Sequence, residues 1–234
     1  MTDYTKRFGS IGARQEQLAV ASVFRKVYGW MAAGLAVSGL VAWYVFSSGL
    51  WATVVAGPGM IVCIAVELGL VFFLSARAMK MSAGAAVATF IAYAAVNGLT
   101  LSVIFAVYEA GAIAKTFFLT AGMFGGLAIY GTVAKADLSK IGALCGLALW
   151  GLIIAGVIQV FWPGTGLDAV VPIVGIVVFC GLTMWDAQKI KLLADEVLTE
   201  EDATRAGVVG ALTLYLDFIN LFLYLLRFFG RNRD

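Results

Sequence analysis

The 234-residue sequence contains no histidine, and only 13% of its residues are charged. Without imidazole there is no Ser-His-Asp triad, no histidine-ligated zinc and no histidine pH switch. A soluble domain of this length carries about 25% charged residues. The scarcity is also uneven. No Asp, Glu, Lys or Arg occurs from Val27 to Val66, Met81 to Tyr108, Thr116 to Ala134, Ile141 to Leu167, or Ala169 to Trp185. An apolar run of roughly 18 residues spans the ~30 Å hydrocarbon layer of a bilayer. The pattern excludes a soluble enzyme, a nucleic-acid binder and a disordered chain. The net charge of +2 says little, because distribution matters more than the sum. Cysteine is scarce as well. Cys63, Cys145 and Cys180 are scattered in apolar runs with no Cys-x-x-Cys, so they read as small core residues, not as disulfides or a metal cluster.

What is present is a set of apolar segments, 62% of the chain being hydrophobic. Spans are expected at roughly 28–46, 54–76, 83–107, 112–133, 141–161, 169–190 and 208–229. Ser47-Ser48-Gly49 and Gly57-Pro58-Gly59 divide the longest charge-free run. Helices are the expected form, since lipid forces every backbone amide to pair within its own segment and barrel-type alternation is absent. The organisation is a cytoplasmic segment over 1–26, a seven-helix domain over 27–230 and a tail over 231–234. Residues 1–26 hold Lys6, Arg7, Arg14, Arg25 and Lys26 without an apolar core, so they are not a cleaved signal.

Basic residues in short loops mark the cytoplasmic side. They occur at the N-terminus, at Arg77 and Lys80, at Lys135 and Lys140, and at Lys189, Lys191 and Arg205, but not in 47–53 or 162–166. The alternation puts the N-terminus inside through six crossings. A seventh crossing places Arg227, Arg231 and Arg233 outside, against the rule; crossing is preferred, with re-entry as the alternative.

Glycine is abundant, 27 residues, and Gly122/Gly126 and Gly142/Gly146 are spaced for close helix approach. None precedes Lys-Ser or Lys-Thr, so there is no phosphate loop. No two-halves repeat of the carrier kind is visible.

Charge inside a membrane is costly and therefore informative. Glu67, Asp186 and Asp217 fall within spans, and Arg77 ends the second. Gly210, Thr213, Asp217, Asn220, Tyr224 and Arg227 form one stripe on the last helix, which is expected to face inward. Thr89, Tyr93, Asn97 and Thr100 form a weaker stripe on the third, read as interhelical hydrogen bonding. Asp186 and Asp217 lie on helices joined by a short inner loop and are expected to meet. Two carboxylates in a low dielectric do not both ionise cheaply; they would share a proton.

Three segments carry a family resemblance: Asn97-Gly98-Leu99-Thr100-Leu101-Ser102-Val103-Ile104-Phe105, Gly181-Leu182-Thr183-Met184-Trp185-Asp186-Ala187-Gln188-Lys189-Ile190, and Leu214-Tyr215-Leu216-Asp217-Phe218-Ile219-Asn220-Leu221-Phe222. From about residue 20 to the C-terminus the chain resembles the Bax-inhibitor family of transmembrane proteins, and within it a bacterial member. The resemblance implies a seven-helix fold with the last helix central, in the bacterial inner membrane. It implies a proton-sensitive calcium leak with Asp186 and Asp217 as the sensor and as transient cation contacts. Arg77 matches the basic residue that latches the pair, and Glu67 a second-helix acid of the pore. Asn97, Thr213 and Asn220 complete the expected ion pathway.

No EF-hand is present, so calcium is expected as a transported ion held in passing, with no cofactor. The acidic stretch from Leu192 to Ala206 reads as a solvated loop, with a cation-attracting vestibule as the alternative. Three other functions stay open. One is a proton-coupled carrier, for which intramembrane acids are also typical. Another is a non-transporting partner of a membrane protease, which the resemblance implies for some bacterial relatives. The last is an intramembrane aspartyl protease, disfavoured because Leu214-Tyr215-Leu216 precedes Asp217 where that class has Gly-x-Gly. The protein is therefore read as a non-enzyme whose partners are lipid, calcium and protons; its oligomeric state is not encoded legibly.

Overall fold

The computed structural model describes residues 2–55, 58–162, 166–195, 197 and 199–230. Among these residues the chain is all-α. Its helices are α1 (Thr2–Ser47), α2 (Trp51–Val55), α3 (Gly59–Arg77) continued by a 3-10 turn (Ala78–Lys80), α4 (Ala83–Leu101), α5 (Ile104–Val107), α6 (Ala110–Val133), α7 (Ser139–Phe161), α8 (Leu167–Asp195) and α9 (Glu200–Phe229). Seven stretches are long and apolar enough to cross a membrane: Val20–Ser47, Gly59–Lys80, Ala83–Val107, Ala110–Val133, Ser139–Gln159, Leu167–Ala194 and Glu200–Phe229. Gly57, the turn residues Pro163, Gly164 and Thr165, Glu196, and the tail 231–234 with Arg231 and Arg233 lie outside the described residues.

Helix ends fall where the sequence supplies caps. Ser82 Oγ accepts a hydrogen bond from Ala85 N at 3.3 Å at the start of α4. Thr199 Oγ1 accepts from Asp202 N at 3.1 Å at the start of α9, whose first turn holds Glu200, Glu201 and Asp202. Carboxylates there favour the positive end of the helix dipole. The loop expected over 192–206 is therefore mostly helix: α8 continues to Asp195 and α9 begins at Glu200. Its acids Glu200, Glu201 and Asp202 are paired. Lys26 Nζ reaches Glu200 Oε2 at 2.6 Å, and Arg205 bridges Glu201 and Asp202.

The last helix is the axis of the bundle. It packs on α1, α8, α6 and α4, and most of its length is buried. It runs unbroken over 30 residues, about 45 Å at 1.5 Å per residue, and does not turn back on itself. By contrast α3 and α7 are peripheral. Leu40, Ile61, Phe72, Phe118, Leu147 and Trp150 are all more than half exposed around the perimeter. An apolar surface of that extent is stable only in lipid, and the chain is a multi-pass membrane protein.

Glycine sets two close approaches. A Cβ on Gly131 would overlap the backbone carbonyl of Met184, so α6 and α8 touch there. A Cβ on Gly142 would overlap the Trp185 ring, bringing α7 onto α8. Gly122, Gly126 and Gly146 have nothing within 4 Å of such a Cβ. Of these four, the spacing argument therefore holds for Gly142 alone; Gly122 and Gly126 face outward, with nothing among the described residues close to them.

One end of the bundle collects the basic loops. Gln188 Nε2 donates to the Ala136 carbonyl at 2.9 Å while its Oε1 accepts from Leu138 N at 2.9 Å, clamping the α6–α7 loop to α8. Lys191 Nζ reaches the Thr132 carbonyl at 3.1 Å. Arg205 Nε donates to the Met81 carbonyl at 2.7 Å, tying the α3–α4 connection to α9. At the other end Arg227 pairs with Asp168 at 2.7 Å and donates to Gln159 Oε1.

Candidate functional site

The cores of α8 and α9 lie side by side, and each carries one acid toward the other. Asp186 is 7% exposed and Asp217 is 4% exposed. Their carboxyl groups are within hydrogen-bonding reach of each other. Asp217 Oδ2 is buried and has no N–H or O–H donor among the described residues. The acids are brought together by a short connection and by Gly210, which lets Ile190 and Val27 press onto α9 one to two turns away. A cavity of about 200 Å³ opens beside the pair, lined by Asp186, Lys189, Ile190, Val209, Gly210 and Thr213 among others.

The cation that the structure gives this pair is Lys189. Its Nζ lies 3.0 Å from Asp186 Oδ1 and 4.1 Å above the Trp185 ring, so it is held by charge and by an aromatic face. Arg77 ends α3 as an exposed side chain and makes no ion pair among the described residues. Lys189 sits three residues after Asp186, one turn on along the same face, and that spacing is the signal that could have found it. Gln188, the other polar residue of the Asp-x-Gln-x-Ile segment, has its structural work in the loop clamp described above.

Glu67 belongs to a separate centre. It accepts hydrogen bonds from Asn97 Nδ2 at 3.3 Å and Thr100 Oγ1 at 2.8 Å, joining α3 to α4. The network continues inward. Tyr215 donates its hydroxyl to Asn97 Oδ1 at 2.7 Å, and the same hydroxyl lies 2.6 Å from Ser38 Oγ on α1. Ser38 also approaches the carbonyls of Gly34 and Ala94. Phe90 and Tyr93 pack edge-on against Tyr215, with centroids 5.8 and 5.6 Å away. Sequence reasoning missed Tyr215 and Ser38, because Tyr215 lies off the spacing of the Asp217 stripe and Ser38 stands alone in an apolar helix.

The stripe on α9 is distributed over these centres. Thr213 lines the cavity beside Asp186 but spends its hydroxyl on the Val209 carbonyl at 3.1 Å. Asn220 donates to Leu216 O at 2.8 Å and lines the cavity beside Glu67. Arg227 reaches the opposite end. Leu214, Phe218, Leu221 and Phe222 on the other faces are buried, whereas Thr213, Asn220 and Tyr224 are only half-buried and Arg227 is exposed, so apart from Gly210 and Asp217 the stripe expected to face inward is the less enclosed side of α9. On α4, Asn97 and Thr100 make the interhelical bonds expected of that stripe, whereas Thr89 bonds only within its own helix at Ala85 O.

Among the described residues no three His, Cys, Asp or Glu side chains converge on one point. The aspartate pair offers four carboxylate oxygens, fewer than the six to eight a firmly held calcium ion takes.

The family described as "Inhibitor of apoptosis-promoting Bax1" matches residues 20–234. The "Inner membrane protein YbhL" of Escherichia coli K12 is 42% identical over 226 residues, covering 94% of this chain and 95% of the relative. An uncharacterized protein of Borreliella burgdorferi is 40% identical over 227 residues, covering 94% and 97%. An uncharacterized protein of Rickettsia prowazekii is 35% identical over 245 residues, covering the whole of both chains.

Proposed function

The chain belongs to the Bax-inhibitor family, and from that premise we propose that it is a pH-sensitive cation leak, passing mainly calcium, gated by the Asp186–Asp217 pair. The observation that carries the reading is the pair itself: two enclosed carboxyl groups in contact, one with a buried oxygen that lacks any other donor. Such a contact is stable when one proton lies between the oxygens. Loss of that proton leaves two like charges in contact in a low dielectric, and their repulsion separates α8 from α9 at the basic end of the bundle. Lys189 offsets part of the charge in the closed state. Arg77, as an exposed cation near the same end, is available to the pair only after movement. No covalent chemistry is part of this reading.

The gathering of basic loops at one end supports a cytoplasmic N-terminus. The E. coli relative is named an inner membrane protein, and we assign the same membrane to this chain. The ions reach the pair transiently, and Glu67, Asn97, Thr213 and Asn220 offer oxygens along the way.

Flux into liposomes loaded with a calcium dye, followed from acid to alkaline pH, tests the proposal. The leak rises with pH in the wild type. Asp186→Asn and Asp217→Asn remove the ionisable contact and give pH-independent flux. A pH response that survives in both variants overturns the gate.

A proton-coupled carrier is the second reading, favoured by one observation: the Glu67 cavity, about 500 Å³, is far larger than an ion needs. Saturable uptake driven by a pH gradient distinguishes it from a leak.

A further inference from the structure

Between α3, α4 and α9 lies a cavity of about 500 Å³ that shares no lining residue with the cavity beside the aspartate pair. Its polar lining is the hydrogen-bonded group of Glu67, Asn97 and Thr100, together with Asn220 and Tyr93. The remaining wall is apolar, built from residues such as Met60, Ile64, Leu216 and Leu223. Glu67 receives hydrogen bonds from two neutral donors and makes no ion pair among the described residues. Asn220 commits its amide N–H to Leu216 O, which leaves its own Oδ1 as an acceptor.

We propose that this cavity binds a primary organic ammonium ion with an apolar body. Three features select that class. The carboxylate has no cation partner among the described residues, and a carboxylate at membrane depth is stabilised by one. The volume falls in the range of small-molecule sites, which are mostly apolar with a few placed polar groups. A bare divalent ion would find one carboxylate, a few neutral oxygens and an aliphatic wall, short of the oxygen shell it requires. An ammonium group brings three donors for Glu67 and Asn220, places its charge near the Tyr93 ring, and rests its body on Leu216 and Leu223. This site shares Glu67, Asn97 and Asn220 with the proposed ion path but none of its lining with the cavity beside the aspartate pair, and it needs no flux to be real.

The test is equilibrium binding of phenylethylamine at neutral pH to the full chain purified in a neutral maltoside detergent. Phenylethanol serves as the uncharged isostere and calcium chloride as the competitor. The wild type binds phenylethylamine saturably and does not bind phenylethanol. Glu67→Gln weakens the amine by about tenfold or more, as expected for loss of a charge-assisted contact. Leu223→Trp, which fills the cavity from its apolar side and keeps the carboxylate, also abolishes binding and covers the case in which Glu67→Gln fails to fold. Absence of amine binding, equal binding of phenylethanol, unchanged affinity in either folded variant, or stoichiometric displacement by calcium overturns the proposal. Flux lost while amine binding persists refutes the leak alone; amine binding lost while pH-gated flux persists refutes this site alone.

Discussion

Replacing Lys189 by Met separates the two cations that compete for a role at the aspartate pair. At 3.0 Å and an effective dielectric near 20, one unit charge on another is worth about 5 kcal/mol. That is an upper limit, because the Lys189 side chain is 50% exposed and water screens it. Exposed ion pairs are worth about 1 kcal/mol or less. The screened figure corresponds to about 0.7 pH unit, at about 1.4 kcal/mol per unit. The sign follows from the charge. A neighbouring cation favours the ionised pair, so removing it lets the proton stay to higher pH. The midpoint of calcium flux against pH in liposomes moves upward by up to about 0.7 unit in Lys189→Met. Lys189→Arg, which keeps the charge, moves it less. Arg77→Met, with no ion pair to lose among the described residues of the closed state, moves it less than Lys189→Met does. A flat result for Lys189→Met, or an equal shift for Arg77→Met, refutes the assignment of Lys189 as the cation of the closed state.

Other consequences follow from packing and hydrogen bonding. Tyr215→Phe keeps the ring between Phe90 and Tyr93 but leaves Asn97 Oδ1 without its donor; a cost of about 1–3 kcal/mol is expected in denaturant unfolding from detergent, and a change under about 0.5 kcal/mol contradicts the network. Gly131→Ala forces α6 off the Met184 carbonyl and lowers the thermal midpoint by the equivalent of about 1–3 kcal/mol, whereas Gly122→Ala, with open space around its Cβ, leaves it within about 0.5 kcal/mol. Hydrogen bonds from Ser139 hold the exposed Asp137 carboxyl below its usual value. Its contribution at the start of α7 is therefore present above the ordinary carboxylate range and lost as pH falls through the depressed value. Asp137→Ala lowers the thermal midpoint at neutral pH and not in strong acid, and an equal effect at both pH values contradicts the contact.

The spans were legible because charge-free runs leave a chain few alternatives in lipid. The meeting of Asp186 and Asp217 was legible too, since a short connection between two helices brings residues near their shared end together. The start of α9 was not. Glu200, Glu201 and Asp202 read as solvated chain, yet a threonine cap and the helix dipole make them a first turn, with Lys26 and Arg205 taking up their charge. The partner of the pair was also hidden. Arg77 and Lys189 are both visible as basic residues at the same end, and only the three-residue spacing from Asp186 sets Lys189 apart in the sequence. Spacing overstated the glycines: a four-residue interval marks a face without saying whether that face meets a helix or lipid. Ser38 and Tyr215 were illegible because single hydroxyls in apolar helices usually bond within their own turn, as Thr120 and Thr183 do here.

The chain from Glu67 through Asn97 and Tyr215 to Ser38 has more acceptors than hydroxyl hydrogens. Tyr215 and Ser38 carry one each, facing the Asn97 oxygen, the Ala94 and Gly34 carbonyls, and one another. While the Asn97 amide N–H points at Glu67, Tyr215 donates toward α4 and Ser38 chooses between Tyr215 and the Ala94 and Gly34 carbonyls; if that amide turns over, Tyr215 donates to Ser38 and Ser38 is left with the carbonyls. The Tyr215 hydroxyl thus has two settings, and the orientation of one amide beside the Glu67 carboxyl decides which acceptors remain open to a serine on the far side of the bundle's axis.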